Sequence, residues 1–281
     1  MANITAQQVN ELRARTGAGL MDCKKALVEA EGDADAAAEI LRKKGAATRD
    51  KKAGRTANEG TIQSFVSDDA STGALVEVNC ESDFVGKNEL FQAFVKGLAA
   101  QIATSGSADN LAEQPLVGDP SKKVNDLFTE QITKTGENLV PGRTVLFAKV
   151  GTNGYVQSYL HNGGKIAVLV GFEVADATSD AFKTLAKQVA MHIAAASPLY
   201  LTRDEVPAET VEKEKEIVAA QMTGKPAQAI EKIVQGKLEK FYAEVCLREQ
   251  PFVLDTAKSV AAAANAVGAI VTRFARLQIG A

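Results

Sequence analysis

Side chains able to serve as nucleophile, base or metal ligand are few and scattered in this chain. The imidazoles are His161 and His192, and the thiols are Cys23, Cys80 and Cys246. A disulfide framework or zinc site calls for closely paired cysteines; these lie far apart inside apolar patterns and read as buried, reduced thiols. Asp68-Asp69 is an adjacent acid pair between two strand-like runs, and a solvated turn accounts for it. No GxxxxGK[ST], GxGxxG or HExxH pattern occurs. Gly17-Ala18-Gly19 is only a loose likeness of a phosphate-cradling loop, because a helical stretch precedes it rather than a strand. His161 stands alone before the turn Asn162-Gly163-Gly164, and His192, beside Met191, fits a satisfied position on a helix. These residues assign no catalytic group, no metal ligand and no cofactor.

One stretch is chemically unusual without being catalytic. Asn79-Cys80-Glu81-Ser82-Asp83-Phe84-Val85 leaves an apolar strand and sets an acid beside a large aromatic before the next helix. One reading makes Asp83 or Asn88 a helix cap and Phe84 a staple into the helix below. The other presents Phe84 outward as an anchor for a partner, with Asp83 as its polar companion.

The surrounding elements follow from periodicity. Residues 4–44 read as three short helices. Thr5 with Gln8 forms a capping box, and the first helix stops at Thr16-Gly17-Ala18-Gly19. Leu20, Cys23, Leu27 and Ala30 share one face of the second, and Asp33 caps a third that Gly45 is expected to end. Residues 46–59 carry Arg49, Lys51, Lys52 and Arg55 without an apolar period and read as a solvated basic linker.

The period then becomes two. Ile62–Val66 and 74–78 are strands, followed by a helix carrying Leu90, Phe91, Phe94, Val95, Leu98 and Ile102. The unit recurs: Val156-Gln157-Ser158-Tyr159-Leu160 mirrors Ile62-Gln63-Ser64-Phe65-Val66, residues 166–170 return, and a helix with Phe182, Leu185, Val189 and Ile193 follows. Between the units lie a helix over Val124–Ile132, ended by Gly136, and a strand over 144–150. Residues 207–247 read as a charged helical hairpin broken at Gly224-Lys225-Pro226 and inserted into the second repeat, because the β-rich run 270–277 returns after it. The fold class is α+β, with antiparallel sheets covered by helices.

Composition narrows the function. Lys and Arg total 32 against 35 Asp and Glu, a formal net charge of -3, without the basic excess of a nucleic-acid binder. No apolar run approaches the ~20 residues of a membrane span and the first residues lack a secretion signal, so a cytoplasmic protein is expected.

Two long segments resemble a known family. Leu12-Arg13-Ala14-Arg15-Thr16-Gly17-Ala18-Gly19-Leu20-Met21-Asp22-Cys23-Lys24-Lys25-Ala26-Leu27 and Glu77-Val78-Asn79-Cys80-Glu81-Ser82-Asp83-Phe84-Val85 are similar to the two signatures of elongation factor Ts. Gly136-Glu137-Asn138, Ser158-Tyr159-Leu160-His161, Ala190–Ala195 and Gln250-Pro251-Phe252 extend the likeness, in order, along essentially the whole chain.

The resemblance implies a non-enzymatic guanine-nucleotide exchange factor whose partner is elongation factor Tu. It implies a ubiquitin-associated-like helical domain (1–46), a basic linker (47–59), a first core unit (60–143), a second (144–206 with 248–281) and a coiled-coil hairpin (207–247). Arg13, Leu20 and Met21 match positions that meet the partner's GTPase domain. Ser82, Asp83, Phe84 and Val85 form the loop that intrudes beside its magnesium and phosphate site, and His161 touches the same partner. The coiled coil reaches a further domain of the partner, or a second copy in a homodimer or 2:2 complex. No membrane or direct nucleic-acid contact is implied. Ser82 stands where the family commonly has Thr, and Leu20 where it often has Met; a C-terminal helical module of some relatives is expected to be missing beyond Ala281. A rival class is an interaction scaffold, using the bundle as an adaptor and the coiled coil to dimerise.

Overall fold

In a computed structural model, the chain is described over residues 4–148, 151, 153–220 and 227–281. Three helices come first: α1 (Ala6–Thr16), α2 (Leu20–Glu29) and α3 (Ala34–Lys52). The Thr5–Gln8 capping box and the Asp33 cap, which accepts from the Asp35 and Ala36 amides, start α1 and α3 as expected. Val9, Leu12, Cys23, Ala26, Leu27 and Ala37 form the small core of this bundle.

Helix α3 does not stop at Gly45. It runs on through most of the basic stretch to Lys52, because a cross-contact outweighs the weak helix propensity of glycine. Gly45 is buried against the next domain, where an added Cβ would come within 3.1 Å of Thr129. The positive charges are used at this seam. Arg49 donates to Asn125, Lys52 donates to the Gly136 carbonyl, and Arg55 lies 3.5 Å from Glu81. A stretch expected as a solvated linker therefore docks the bundle on the core.

The core begins with β1 (Glu59–Val66) and β2 (Gly73–Cys80), then the single turn α4 (Asp83–Gly86) and the long α5 (Glu89–Ser105). A small hairpin, β3 (Pro115–Leu116) and β4 (Asp119–Lys123), leads to α6 (Val124–Thr135) and β5 (Val140–Phe147). The sequence placed that last strand at 144–150 and in the second unit. Instead β5 pairs antiparallel with β2, giving the order β1-β2-β5, so the first unit extends to Phe147; residues 149 and 150 lie outside the described residues.

The second unit repeats this plan. β6 (Gly154–His161) and β7 (Ile166–Val174) are followed by α7 (Asp180–Ala196). Two helices intervene, α8 (Ala208–Ala220) and α9 (Ala227–Val245). Then a hairpin β8 (Pro251–Phe252) and β9 (Asp255–Ser259), the short α10 (Val260–Asn265) and β10 (Ala269–Gln278) complete a sheet ordered β10-β7-β6. The expected break at Gly224-Lys225-Pro226 lies outside the described residues.

The sheets stack face to face. Ile62, Leu75, Phe147, Val156, Leu169 and Leu277 fill the space between them. The outer face of the first sheet packs on α5 and α6 through Phe91, Leu98, Ile102, Phe128 and Ile132. That of the second packs on α7 and α10 through Phe172, Phe182, Val189, Ile193 and Val260. Burial of each such phenylalanine is worth about 1.5–3 kcal/mol. The equivalent serines Ser64 and Ser158 meet across this interface, 3.2 Å apart.

Candidate functional site

Cys80 closes β2, and the chain must then turn to enter α5. Ser82 caps the turn α4, its hydroxyl accepting from the Val85 amide at 3.4 Å, while Asn88 caps α5 by accepting from the Leu90 and Phe91 amides. Asp83 is therefore not the cap of α5, and Phe84 is not stapled beneath it. Phe84 is 83% exposed, whereas Phe91, Phe128, Phe172 and Phe182 are 1% exposed or less. Val85 turns partly inward against the first core, and Leu90, one turn into the region, is exposed as well. Of the two readings open in the sequence, the outward aromatic is the observed one.

Asp83 donates nothing and accepts from Lys87 Nζ at 2.6 Å; this contact holds its carboxyl below the usual carboxylate range, so it is ionised at neutral pH. Cys80 lies beneath the turn with its Sγ 3.1 Å from the Ser82 carbonyl. Burial, with the nearby Glu137 carboxylate, pushes that thiol up to about 11, which keeps it protonated and inert.

His161 ends β6 at the tip of the second sheet. It is exposed, and its Nδ1 lies 3.1 Å from the Tyr159 hydroxyl. The following turn presses on β1. Gly164 has φ +88° and sits so close that an added Cβ would lie 2.4 Å from Thr61 Oγ1 and 2.8 Å from the Ile62 carbonyl. Lys165 is bonded to Glu59. The Phe84 turn reaches the same strand end, since the buried Gly86 lies against Gly60. Two segments about 80 residues apart in sequence are thus brought to one end of β1.

Leu20 and Met21 open α2 and are 47% and 61% exposed. Arg13 is also exposed, in the last turn of α1, and its carbonyl accepts from the Gly17 amide. Gly17 stands against the side chain of Lys134, in the last turn of α6. Immediately after that turn Gly136 caps the helix, and Glu137 and Asn138 reach the Phe84 loop. The Glu137 carboxylate accepts from the Glu81 and Ser82 amides, each at 3.0 Å, and from the Ser82 hydroxyl at 2.5 Å. The Asn138 amide donates to Glu81 at 2.6 Å, and its side chain donates to the Arg55 carbonyl at 2.8 Å. The bundle loop and the Phe84 turn therefore lean on the same end of α6. The sequence marked Gly136-Glu137-Asn138 only as part of the family likeness and gave Glu137 and Asn138 no role, because both act across more than 50 residues.

His192 is buried and satisfied, as the sequence suggested. The Val253 amide donates to Nδ1 at 3.2 Å, which leaves Nε2–H to donate to Gln250 Oε1 at 2.8 Å. Among the described residues, no group of three or more His, Cys, Asp and Glu stands close enough to hold a metal ion, and no helix is long and apolar enough to cross a membrane. What the site offers is an exposed aromatic on a turn capped by Ser82, with an ionised acid next to it in sequence.

The profile of the family described as Elongation factor TS matches residues 81–281. Relatives named Elongation factor Ts align over nearly the entire chain. That of Trichlorobacter lovleyi is 48% identical over 99% of this chain and 93% of its own length. That of Halothermothrix orenii is 44% identical over 99% and 92%, and that of Nautilia profundicola 44% identical over 100% and 94%.

Proposed function

The chain belongs to the elongation factor Ts family, and on that premise we propose that it is the guanine-nucleotide exchange factor of elongation factor Tu, acting in the cytoplasm during protein synthesis. The observation that carries the reading is Phe84, 83% exposed on a turn capped by Ser82. An apolar ring held in water at that cost is matched to a crevice elsewhere.

Phe84 enters an apolar crevice between helices of the partner's GTPase domain, with Asp83 beside it, and disturbs the magnesium and phosphate environment so that GDP leaves. The N-terminal bundle, ubiquitin-associated-like in plan, docks through Arg13, Leu20 and Met21. His161 adds a contact from the turn that packs on the same end of β1, and α8 with α9, as a coiled coil, reaches a further domain. No chemistry is required of the factor. It must bind the nucleotide-free partner more tightly than the GDP-bound one, and linkage then makes each ligand loosen the other by an equal factor. A thousandfold faster release needs roughly 4 kcal/mol off the barrier, of which burying Phe84 supplies about 2 kcal/mol.

The test is release of labelled GDP from elongation factor Tu. The protein at substoichiometric concentration is expected to accelerate release; a rate equal to that of Tu alone overturns the reading.

A further inference from the structure

We infer that Glu137 is a positioning residue for exchange: its carboxylate, delivered from the end of α6, holds the Glu81–Ser82 backbone and thereby aims Phe84. The inference rests on the proposed exchange reading for its activity readout. The turn α4 is a single turn of four residues, too short to hold its own shape. Within it, Phe84 makes no use of the apolar core, so nothing about the ring fixes its direction. Val85 and Gly86 seat the far end of the turn against the core and Gly60, and the pair of residues entering it fixes the near end. Glu81 and Ser82 offer two amides and a hydroxyl, and all three donate to the one Glu137 carboxylate, at 3.0, 3.0 and 2.5 Å. The return contact, Asn138 amide to Glu81 at 2.6 Å, makes the tie reciprocal. A loop left without these bonds would keep its exposed ring and lose its orientation, which lowers the population of the docking-competent form.

The acceptor geometry matters here more than the negative charge, and that gives a discriminating pair of variants. Glu137→Ala removes every acceptor and strands two amides. Glu137→Gln keeps an oxygen where Oε2 lies, and its amide nitrogen can donate to the Ser82 hydroxyl oxygen. With full-length protein and labelled GDP on elongation factor Tu, Glu137→Ala is expected to lower the maximal release rate about tenfold, equivalent to about 1.4 kcal/mol. The factor concentration giving half the maximal effect is expected to change less than about threefold. Glu137→Gln is expected to stay within about threefold of the parent rate. A Glu137→Ala protein as fast as the parent overturns the inference, and so does a Glu137→Gln protein as slow as Glu137→Ala.

Amide hydrogen exchange on the isolated protein separates this inference from the exchange reading. The Glu81, Ser82 and Val85 amides are expected to be protected in the parent and to exchange at least about tenfold faster in Glu137→Ala; equal rates overturn the inference whether or not the parent releases GDP. Should Glu137→Ala fail to fold, as judged by circular dichroism, Ser82→Ala removes the hydroxyl's bond to Glu137 together with its cap bond from Val85, and leaves both amide bonds to the carboxylate in place. Its release rate is expected to fall about threefold, and no fall overturns the inference. A parent that leaves GDP release unchanged sinks the exchange reading, and the protection measurement then decides the role of Glu137 alone.

Discussion

Between β2 and the cap of α5 the first core half threads residues 81–87, whereas between β7 and the cap of α7 the second threads only residues 175–178. Downstream the imbalance reverses. The first half passes from α5 to its small hairpin through residues 106–114, while the second spends residues 197–250 and builds α8 and α9 there. The scaffold between these connections is matched in detail. Glu113-Gln114-Pro115-Leu116-Val117 and Glu249-Gln250-Pro251-Phe252-Val253 open equivalent hairpins. Gln101 accepts from the Val117 amide at 2.9 Å in one half, and His192 accepts from the Val253 amide at 3.2 Å in the other. One architecture, used twice, carries the exposed Phe84 turn in one half and the α8–α9 arm in the other. The lesson is that His192 is a structural substitute for the glutamine of the other half, and the candidate function lies in the connections where the halves differ.

Altering the Phe84 turn gives the largest expected effect. Phe84→Ala should slow catalysed GDP release roughly thirtyfold, the loss of about 2 kcal/mol typical of an anchor residue. Its unfolding free energy should stay within about 0.5 kcal/mol of the parent, as for other exposed positions. Urea denaturation alongside the release assay checks both, and a large stability loss would show that the ring belongs to the fold.

Separating the halves comes next. Gly164→Ala forces a Cβ onto Thr61 and the Ile62 carbonyl at a positive φ. It should cost about 2 kcal/mol of stability, read as a lower urea midpoint, and should shift His161 away from the Phe84 turn.

The arm is held at its root by Arg203. This guanidinium bonds Glu249 and Glu239, both at 2.5 Å at the closest, and lies 4.5 Å over the Tyr242 ring. Backbone bonds from Leu199 and Tyr200 to the Val245 carbonyl close the same root. Arg203→Met should cost about 1 kcal/mol. If the arm engages a partner, affinity should fall while the maximal release rate holds, measured by titration calorimetry beside the release assay.

The smallest effect concerns the matched pair His192 and Gln101. Burial lowers the His192 value below 6.5, partly opposed by the bond to Gln250. Between that lowered value and 6.5 the unfolded chain binds more protons than the folded one, so stability rises with pH across this window and is lost as pH falls through it. His192→Gln, copying the other half, should flatten this slope below pH 6.5. Thermal melts of both proteins at several pH values provide the check, and parallel curves would deny the equivalence.

Much of this plan was legible in the sequence. The capping residues Thr5 and Asp33, the Ile62–Val66 repeat at Val156–Leu160, and the apolar faces of α5 and α7 act over a few residues and leave a local trace. The hairpin β3–β4 and its counterpart β8–β9 were missed, although the repeated Glu-Gln-Pro is visible, because strands of two and five residues are too short to show a period. The extent of α3 and the partner of β5 were misplaced because both are settled by contacts with distant segments, Gly45 against Thr129 and β5 against β2.

By itself the sequence determined the longer helices and the main paired strands, the duplication, and the unusual aromatic at Phe84. Only the tertiary structure decided that the ring faces water, that the basic run is a docking seam, and that Glu137 grips the turn. Periodicity and caps arise from neighbours along the chain. The direction of a side chain on a four-residue turn is set by hydrogen bonds from residues more than 50 positions away, and no local pattern encodes them.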